Sequence, residues 1–311
     1  MPIRLLGLHH VTATVDDAQT DLDFFRDTLG LRLVKRTVNF DNHNVFHFYY
    51  GDESGTPGTI WTTFPYRGWG VRVGSKGAGQ IVTTAFSVPR ESLRAWEGRL
   101  AERGVPFERR EPRFGDEVLA FQDPSGLQIE LIATPDARAP WIAPGLTPAN
   151  AIRGLNAVTL LIKSPPRSIA LLTEVLGFAV VGEENRRTRL SVNGSGAGRS
   201  LDILADEQAA PAINGTGTVH HVAFAIENET EQLEARETLI RWGCQVTEVR
   251  DRVYFRSIYF REPGGVLYEI ATRSPGFTFD ESRAELGQAL KLPPWEEPHR
   301  PAIEANLPVV R

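Results

Sequence analysis

The sequence predicts an α+β fold made of four βαβββ modules in two tandem halves, followed by a Pro-rich C-terminal tail. Three observations support this class: short β-rich runs, helix-like segments between them, and internal repeats at constant offsets. The chain contains 28 glycines and 21 prolines among 311 residues, which favours many short elements over a few long helices. We therefore expect modules at 5–66, 79–135, 152–206 and 217–273.

The first and third modules repeat each other. The run GLHHVTATV from Gly7 aligns with GLNAVTLLI from Gly154, an offset of 147. A helix-like stretch follows each run and ends in a Leu-Gly turn, and the glycines of these turns, Gly30 and Gly177, keep the same offset. Agreement at separate anchors indicates a duplicated structural unit.

The second and fourth modules repeat each other as well. GQIVTTAFSV from Gly79 resembles GTVHHVAFAI from Gly217, at an offset of 138. Further along, DPSGLQIEL from Asp123 resembles EPGGVLYEI from Glu262, at an offset of 139. Each copy of this second motif ends a module with an acidic residue, Pro, Gly and a late Glu.

The elements within each module follow from local signals. PRESLRAWEGRLAERG predicts a helix with Pro89 near its start and Gly104 at its end, and ETEQLEARETLIRWG predicts one ending at Gly243. β-Branched and aromatic runs such as NVFHFYYGD and SLDILADE predict strands. The chain then divides into an N-terminal half (1–140), a linker (141–151), a C-terminal half (152–273) and a tail (274–311).

Composition excludes several function classes. The formal charge of 34 − 39 = −5 gives no basic field for nucleic acid or anionic membranes. The single cysteine, Cys244, allows no internal disulfide and no thiolate cluster. Neither a signal-peptide pattern nor an apolar run of membrane-spanning length is present. We expect a cytoplasmic protein with no nucleic-acid or membrane partner.

Histidine placement is the strongest chemical signal. Four of the seven histidines form two adjacent pairs, at 9–10 and 220–221. The repeat offsets align His10 with Ala157 and His221 with Thr83, so the module fold does not require either imidazole. Glu269, in contrast, aligns with Glu130, which we interpret as the exposed end of a strand.

Pairing two modules around a shared site gives three candidate residue sets. They are His10, Thr62, Thr83 and Glu130 for modules 1 and 2; Ala157, His221 and Glu269 for modules 3 and 4; and His10, His221 and Glu269 for modules 1 and 4. Only the last set gathers two imidazoles and a carboxylate. Such a set leaves coordination positions open and suits an iron(II) ion that binds O2 and an organic substrate.

Strand alternation adds a prediction about the neighbouring side chains. Successive side chains of a strand point to opposite faces of the sheet. If His10 faces the metal, Thr12 shares its face, whereas His9 and His220 point away.

These motifs make a family resemblance visible. Four such modules carrying GLHHVT, HHVAF and REPGGVLYEI resemble the vicinal oxygen chelate (glyoxalase/bleomycin-resistance) superfamily, and within it the ring-cleaving dioxygenases that open para-hydroquinones. The resemblance implies Fe(2+), with Mn(2+) as the alternative, held by His10, His221 and Glu269. It implies a small aromatic diol and O2 as reactants, and we expect a homo-oligomer. It also assigns proton handling or substrate orientation to the residues that surround the metal: His9, Thr12, His220, Arg252 and Tyr259.

Other functions of the same scaffold stay open. A catechol extradiol dioxygenase has its ligands in modules 3 and 4, where this chain offers Ala157. A non-oxidative glyoxalase-type lyase or isomerase needs a second carboxylate, and this chain has Thr62 at that place. A metal-free binding protein would have no use for His10, His221 and Glu269 together.

Overall fold

The computed structural model describes residues 2–311 as sixteen strands and five α-helices. The strands are β1 (Gly7–Val15), β2 (Arg32–Asn39), β3 (Asn42–Gly51), β4 (Ile60–Pro65), β5 (Gln80–Val88), β6 (Phe107–Arg113), β7 (Asp116–Gln122), β8 (Gln128–Ala133), β9 (Gly154–Ile162), β10 (Phe178–Glu184), β11 (Arg187–Val192), β12 (Ser200–Ala205), β13 (Thr218–Ile226), β14 (Arg250–Asp251), β15 (Arg256–Arg261) and β16 (Leu267–Thr272). The helices are α1 (Ala18–Leu22), α2 (Leu93–Glu102), α3 (Pro166–Ala170), α4 (Glu229–Trp242) and α5 (Arg300–Asn306).

The four predicted βαβββ modules are confirmed, and they combine into two eight-stranded sheets. One sheet has the order β14-β15-β16-β13-β1-β4-β3-β2, and the other has the order β10-β11-β12-β9-β5-β8-β7-β6. Each sheet therefore takes one module from each half of the chain. Module 1 shares a sheet with module 4, and module 2 shares a sheet with module 3.

The centre of each sheet has the same arrangement. In the first sheet β1 and β13 pair antiparallel, and β4 and β16 flank them in parallel. In the second sheet β5 and β9 form the antiparallel pair between β8 and β12. The first and last strand of each module thus lie side by side, which brings their side chains into the middle of the sheet.

Local signals explain how the helices begin and end. The Asn228 side chain accepts a hydrogen bond from the Glu231 amide at the start of α4, and Gly243 ends that helix with φ 104°, which favours glycine. Helices α1 and α3 each continue into a short π-helical segment, Asp23–Thr28 and Leu171–Val175. The helix-like stretches of modules 1 and 3 are therefore continuous but wider in their second half.

One hydrophobic core joins the two sheets. Its buried side chains come from all four modules. Trp61 of the first sheet packs edge-on against Phe86 of the second with ring centroids 6.1 Å apart, and Phe178 packs against Phe224 at 5.5 Å. The core therefore ties module 1 to module 2 and module 3 to module 4, while the sheets tie module 1 to module 4 and module 2 to module 3.

The C-terminal tail packs back onto module 1. Ile303 of α5 is buried in the core, and Leu290 forms a bridge with Arg36 of β2. The ammonium group of Lys35, fully buried on β2, contacts Asp280 and Glu281 of the tail. Within residues 2–311, no helix has both the length and the apolar character needed to cross a membrane.

Candidate metal centre

Three buried ligand atoms converge between modules 1 and 4. His10 lies on β1, His221 on β13 and Glu269 on β16. Their ligand atoms lie within 4.8 Å of one another, and all three residues are buried. The Nε2 atoms of the two histidines are 3.2 Å apart, and each also approaches Oε2 of Glu269, at 3.2 Å for His10 and 2.8 Å for His221. The structure thus brings together the three residues predicted as metal ligands.

Two β-bulges shape the centre. The ladder between β1 and β13 shifts register between Leu8 and His10, and again between Thr12 and Ala13, where its partner skips from His221 to Val219. The residues without a partner are His9 and His220, so each strand bulges at the first histidine of its pair. A bulge interrupts alternation and redirects a side chain. The prediction that His9 and His220 point away from the metal face is therefore wrong.

The bulges let each first histidine contact the second. Nδ1 of His9 lies 2.9 Å from Nδ1 of His10, and Nδ1 of His220 lies 2.8 Å from Nδ1 of His221. Burial lowers the pKa of His9 to about 3, so its ring is neutral at physiological pH. His9 Nε2 is 3.2 Å from the carbonyl oxygen of Thr272, to which it donates its hydrogen.

This arrangement fixes the tautomer of His10. Because the neutral His9 ring carries its hydrogen on Nε2, its Nδ1 is an acceptor, and Nδ1 of His10 must donate to it. In the neutral, metal-binding form of His10, Nε2 then carries a lone pair directed at the site. Partners of this kind orient metal-binding histidines and raise their basicity.

The donor set fits a metal ion. Oε2 of Glu269 is buried and has no hydrogen-bond partner among the described residues, although two imidazole nitrogens surround it. Metal–ligand bonds of about 2.1 Å at roughly right angles separate neighbouring ligand atoms by about 3 Å, close to the distances observed here. Three converging lone pairs repel one another unless a cation lies between them.

The carboxylate is held in its ionised form. Burial alone would raise the pKa of Glu269, but the positive charge and hydrogen bonds that the adjacent His10 and His221 rings supply when protonated hold this pKa well below its usual value, and a bound cation would act in the same direction. The Ser257 hydroxyl on β15 donates to Oε1, which leaves Oε2 facing the two imidazoles. Ser257 thus orients Glu269 as His9 orients His10.

A pocket of about 230 Å³ opens onto the three donors. Thr12 and His220 line it, together with Tyr259 of β15 and Arg252, which directly follows β14. Arg252 Nε donates to the Tyr259 hydroxyl oxygen at 3.0 Å, and its Nη2 lies 3.2 Å from a carboxylate oxygen of Asp41. The described structure therefore gathers Thr12, His220, Arg252 and Tyr259 at the pocket, while His9 lies behind His10.

His47 is a pocket residue that sequence analysis missed. It lies on β3, its Nε2 is 2.9 Å from the Thr62 hydroxyl, and that hydroxyl donates to Oγ1 of Thr12 at 2.9 Å. Burial lowers the pKa of His47 well below 6.5, so the ring is neutral. Alternation from Tyr49 in NVFHFYYGD would place His47 on the inner face, but a single histidine in a strand is a weak signal.

A family model and full-length relatives match the chain. The model described as "Glyoxalase/Bleomycin resistance protein/Dioxygenase superfamily" matches residues 7–131 and 154–270. The chain belongs to this superfamily. The matched segments cover the strands of all four modules, and the predicted family resemblance is confirmed.

Two relatives and one solved structure are similar to this superfamily member over nearly their whole length. MhqO of Bacillus subtilis, named as a ring-cleaving dioxygenase, is 41% identical, with 99% of this chain and 97% of MhqO covered. Chlorohydroquinone/hydroquinone 1,2-dioxygenase of Sphingobium indicum is 35% identical, with 96% and 94% covered. A crystal structure named as a dioxygenase from Bacillus subtilis superposes with a TM-score of 0.95 at 40% identity, covering 99% of this chain and 98% of the other.

Among the residues that the structure describes, the second sheet carries no comparable donor set. Its counterparts of His10 and His221 are Ala157 and Thr83, as the repeat predicts. Glu130 is fully buried and pairs with Arg110 and Arg113. The interpretation of Glu130 as an exposed strand end is wrong, because β8 lies inside the sheet between β5 and β7.

Asp202 of β12 is a second buried carboxylate in that sheet, and sequence analysis did not find it. It pairs with Thr159 in the ladder as Thr62 pairs with Thr12, so Asp202 is the counterpart of Thr62. Arg187 and Arg189 hold it. Arginine side chains therefore pair with both of these buried carboxylates of the second sheet, Glu130 and Asp202.

Proposed function

We propose that this protein is an iron(II)-dependent dioxygenase that uses O2 to open the ring of a para-hydroquinone-type aromatic diol. The observation that carries the proposal is the buried group of His10, His221 and Glu269 at the floor of a small pocket. Two imidazoles and one carboxylate with open positions are typical of non-haem iron oxygenases. The named activities of the relatives support the same reaction class.

The residues around the donors favour this reaction over two alternatives. A glyoxalase-type lyase or isomerase would need a further carboxylate at Thr62, whose hydroxyl is instead committed to Thr12. An extradiol enzyme with ligands from modules 3 and 4 would need those modules in one sheet. In this chain module 4 shares its sheet with module 1.

Different side chains of the pocket serve substrate binding and proton transfer. When bound, iron(II) would supply Lewis acidity toward a substrate hydroxyl and coordination positions for O2. The Arg252 guanidinium, held by Tyr259 and Asp41, places positive charge beside the pocket and stabilises a phenolate there. If His221 binds metal through Nε2, its Nδ1 donates to His220, whose hydrogen then lies on Nε2 in the pocket wall. His220 is thus placed to exchange a proton with substrate.

The test is oxygen uptake by protein loaded with iron(II) under nitrogen and then offered hydroquinone, chlorohydroquinone or catechol. We expect rapid uptake with the hydroquinones. The variant His221→Ala should lose both bound iron and uptake, whereas His43→Ala, at a half-exposed histidine outside the pocket, should keep both. Uptake with catechol alone would contradict the substrate assignment, and no uptake by iron-loaded protein would contradict the dioxygenase assignment.

A further inference from the structure

The wall formed by module 1 carries a directed chain of hydrogen bonds that ends in the pocket. The Thr62 hydroxyl donates to Thr12, so its oxygen must accept from His47, and His47 therefore carries its hydrogen on Nε2. The Thr12 hydroxyl accepts from Thr62 and keeps its own hydrogen for the pocket that it lines. This order leaves Nδ1 of His47 with a lone pair and no hydrogen.

That lone pair is available to a ligand. His47 lines the pocket, and its Nδ1 has no hydrogen-bond partner among the described residues. The ring lies between Tyr49, at a centroid distance of 4.0 Å, and Phe64, at 4.2 Å. Two aromatic neighbours and the Thr62 bond hold the imidazole in one orientation, so Nδ1 is a fixed acceptor.

Several other polar groups that line the pocket are hydrogen-bond donors or already have partners. Arg252 only donates, and in the metal-binding tautomer His220 offers a hydrogen on Nε2. The carboxylate of Asp41 already contacts Arg252 at the rim, and Glu269 faces the metal-binding nitrogens. A ligand hydroxyl that must donate its hydrogen therefore finds a neutral acceptor at His47.

We propose that His47 is a specificity-determining residue that accepts a hydrogen bond from the second hydroxyl of the aromatic diol. This inference rests on the proposed function and narrows it to rings whose second hydroxyl is free. A ring with a methoxy group at that position cannot donate, so Nδ1 of His47 would remain desolvated and unpaired. Thr62 is the positioning residue, because it keeps the imidazole hydrogen away from the pocket.

The experiment compares equilibrium binding of hydroquinone and 4-methoxyphenol to iron-loaded protein under nitrogen, followed by calorimetry. Without O2 no turnover occurs, so the readout is affinity. Wild-type protein should bind hydroquinone about tenfold more tightly, as expected for one unmatched buried hydrogen bond. In His47→Phe, which keeps an aromatic ring between Tyr49 and Phe64, the two affinities should become equal through weaker binding of hydroquinone.

Two further variants separate this role from a structural one. Thr62→Val, which removes the hydroxyl without changing shape, should reduce the affinity ratio to a smaller extent. Tyr66→Phe, at a rim tyrosine bonded to Asn39, should keep the wild-type ratio. In steady-state oxygen uptake, His47→Phe should raise KM for hydroquinone more than it lowers kcat. Bound iron, measured in each variant, should stay at the wild-type level.

The outcomes are distinguishable. The ratio compared is that of the affinities for hydroquinone and 4-methoxyphenol. If this ratio is unchanged in both His47→Phe and Thr62→Val while wild-type protein shows normal oxygen uptake, the role of His47 is overturned and the proposed function is not. A ratio lost in Tyr66→Phe but kept in His47→Phe would overturn it too and would move the contact to the rim. Absence of wild-type uptake with every diol would overturn the proposed function and this inference with it.

Discussion

At the residue scale, the four paired histidines divide into two kinds by their contacts. The second members, His10 and His221, direct Nε2 toward Glu269. The first members, His9 and His220, contact the Nδ1 atoms of those rings. His9 is buried and bonded to a backbone carbonyl, whereas His220 is accessible from the pocket. The same dipeptide therefore provides a purely orienting residue in one strand and a candidate proton-transfer residue in the other.

Replacing His9 should weaken metal binding. In His9→Phe, Nδ1 of His10 loses its acceptor, and we expect affinity for iron(II) to fall about 10–100-fold, as for other partners of metal-binding histidines. Chelator competition monitored by bound iron measures this change. The matched control is Asn156→Ala, at the counterpart of His9 in the second sheet, which should keep wild-type affinity. Equal affinities in His9→Phe and wild type would contradict the role of His9.

Removing the hydroxyl of Tyr259 should affect catalysis without loss of metal. The hydroxyl oxygen accepts from Arg252, and burial raises the Tyr259 pKa, so the group stays protonated. We expect kcat/KM for hydroquinone to fall about tenfold in Tyr259→Phe, since a bond to a charged group is lost. Tyr268→Phe is the control, because the buried Tyr268 hydroxyl has no hydrogen-bond partner within residues 2–311. Similar kinetics in the two variants would remove Tyr259 from the site.

At the element scale, the central strands of both sheets contain β-bulges. Both sheets bulge at equivalent positions, at His9 and His220 in the first and at Val82 and Asn156 in the second. The bulge therefore belongs to the scaffold, and the histidines placed in it belong to the site.

Helix α1 is fixed to the first sheet by Asp21, whose Oδ2 accepts hydrogen bonds from Tyr50 at 2.7 Å and from Thr63 at 2.6 Å.

Asp21 should make stability fall as pH rises. Burial raises the Asp21 pKa from 3.8 to about 8, so the folded protein holds a proton that the unfolded chain has released. This contribution is complete below about pH 4 and is lost as pH rises through about 8. Asp21→Asn cannot ionise, so wild-type Tm should fall relative to that of the variant by several degrees between pH 5 and pH 8.5.

Thermal melts across this pH range measure the effect of Asp21. The control is Asp23→Asn, at an exposed carboxylate beside α1, which removes a nearby charge and leaves the buried carboxyl of Asp21 in place. Parallel pH curves for wild type and Asp21→Asn would show that Asp21 does not retain its proton in the folded state.

At the scale of the whole molecule, the site depends on contacts between distant parts of the chain. The donor set spans β1 and β16, which are joined through β13 in a single sheet. The tail reinforces module 1 through Lys35, whose fully buried ammonium contacts Asp280 and Glu281. It also reaches the β2–β3 turn, where Trp295 packs edge-on against Phe40 of the pocket wall at 5.6 Å. Homo-oligomer formation and cytoplasmic location stay predictions.

Breaking the Lys35 pair should destabilise the whole protein. Lys35→Met leaves Glu281 buried beside an apolar group, and we expect the free energy of unfolding to fall by about 3–5 kcal/mol. Adding Glu281→Leu should recover part of this loss, since the more deeply buried of the two carboxylates that contact Lys35 is then removed with it. Lys163→Met, at an exposed lysine, is the control. Urea unfolding measures wild type and the three variants, and a Lys35→Met protein as stable as wild type would contradict the prediction.

The sequence by itself determined the modules and the unusual residues. Offsets of 147 and 138 predict four units, because a repeat preserves the local pattern of strands and turns. Those offsets also align His10 with Ala157 and His221 with Thr83, which indicates that the fold does not require either histidine. Glu269 could be named from the repeat in a different way, since it ends the same motif as Glu130.

Only the tertiary structure decided which modules share a sheet and what surrounds the donors. Pairing of β1 with β13 joins residues more than two hundred positions apart, and no local pattern encodes such a contact. The bulges that turn His9 and His220 toward their neighbours arise from that ladder, so strict alternation failed there. His47 and Asp202 stayed unrecognised because their roles depend on partners in neighbouring strands. Local repeats are visible in the sequence, but the register of the strands and the burial of their side chains are defined only after the strands have paired.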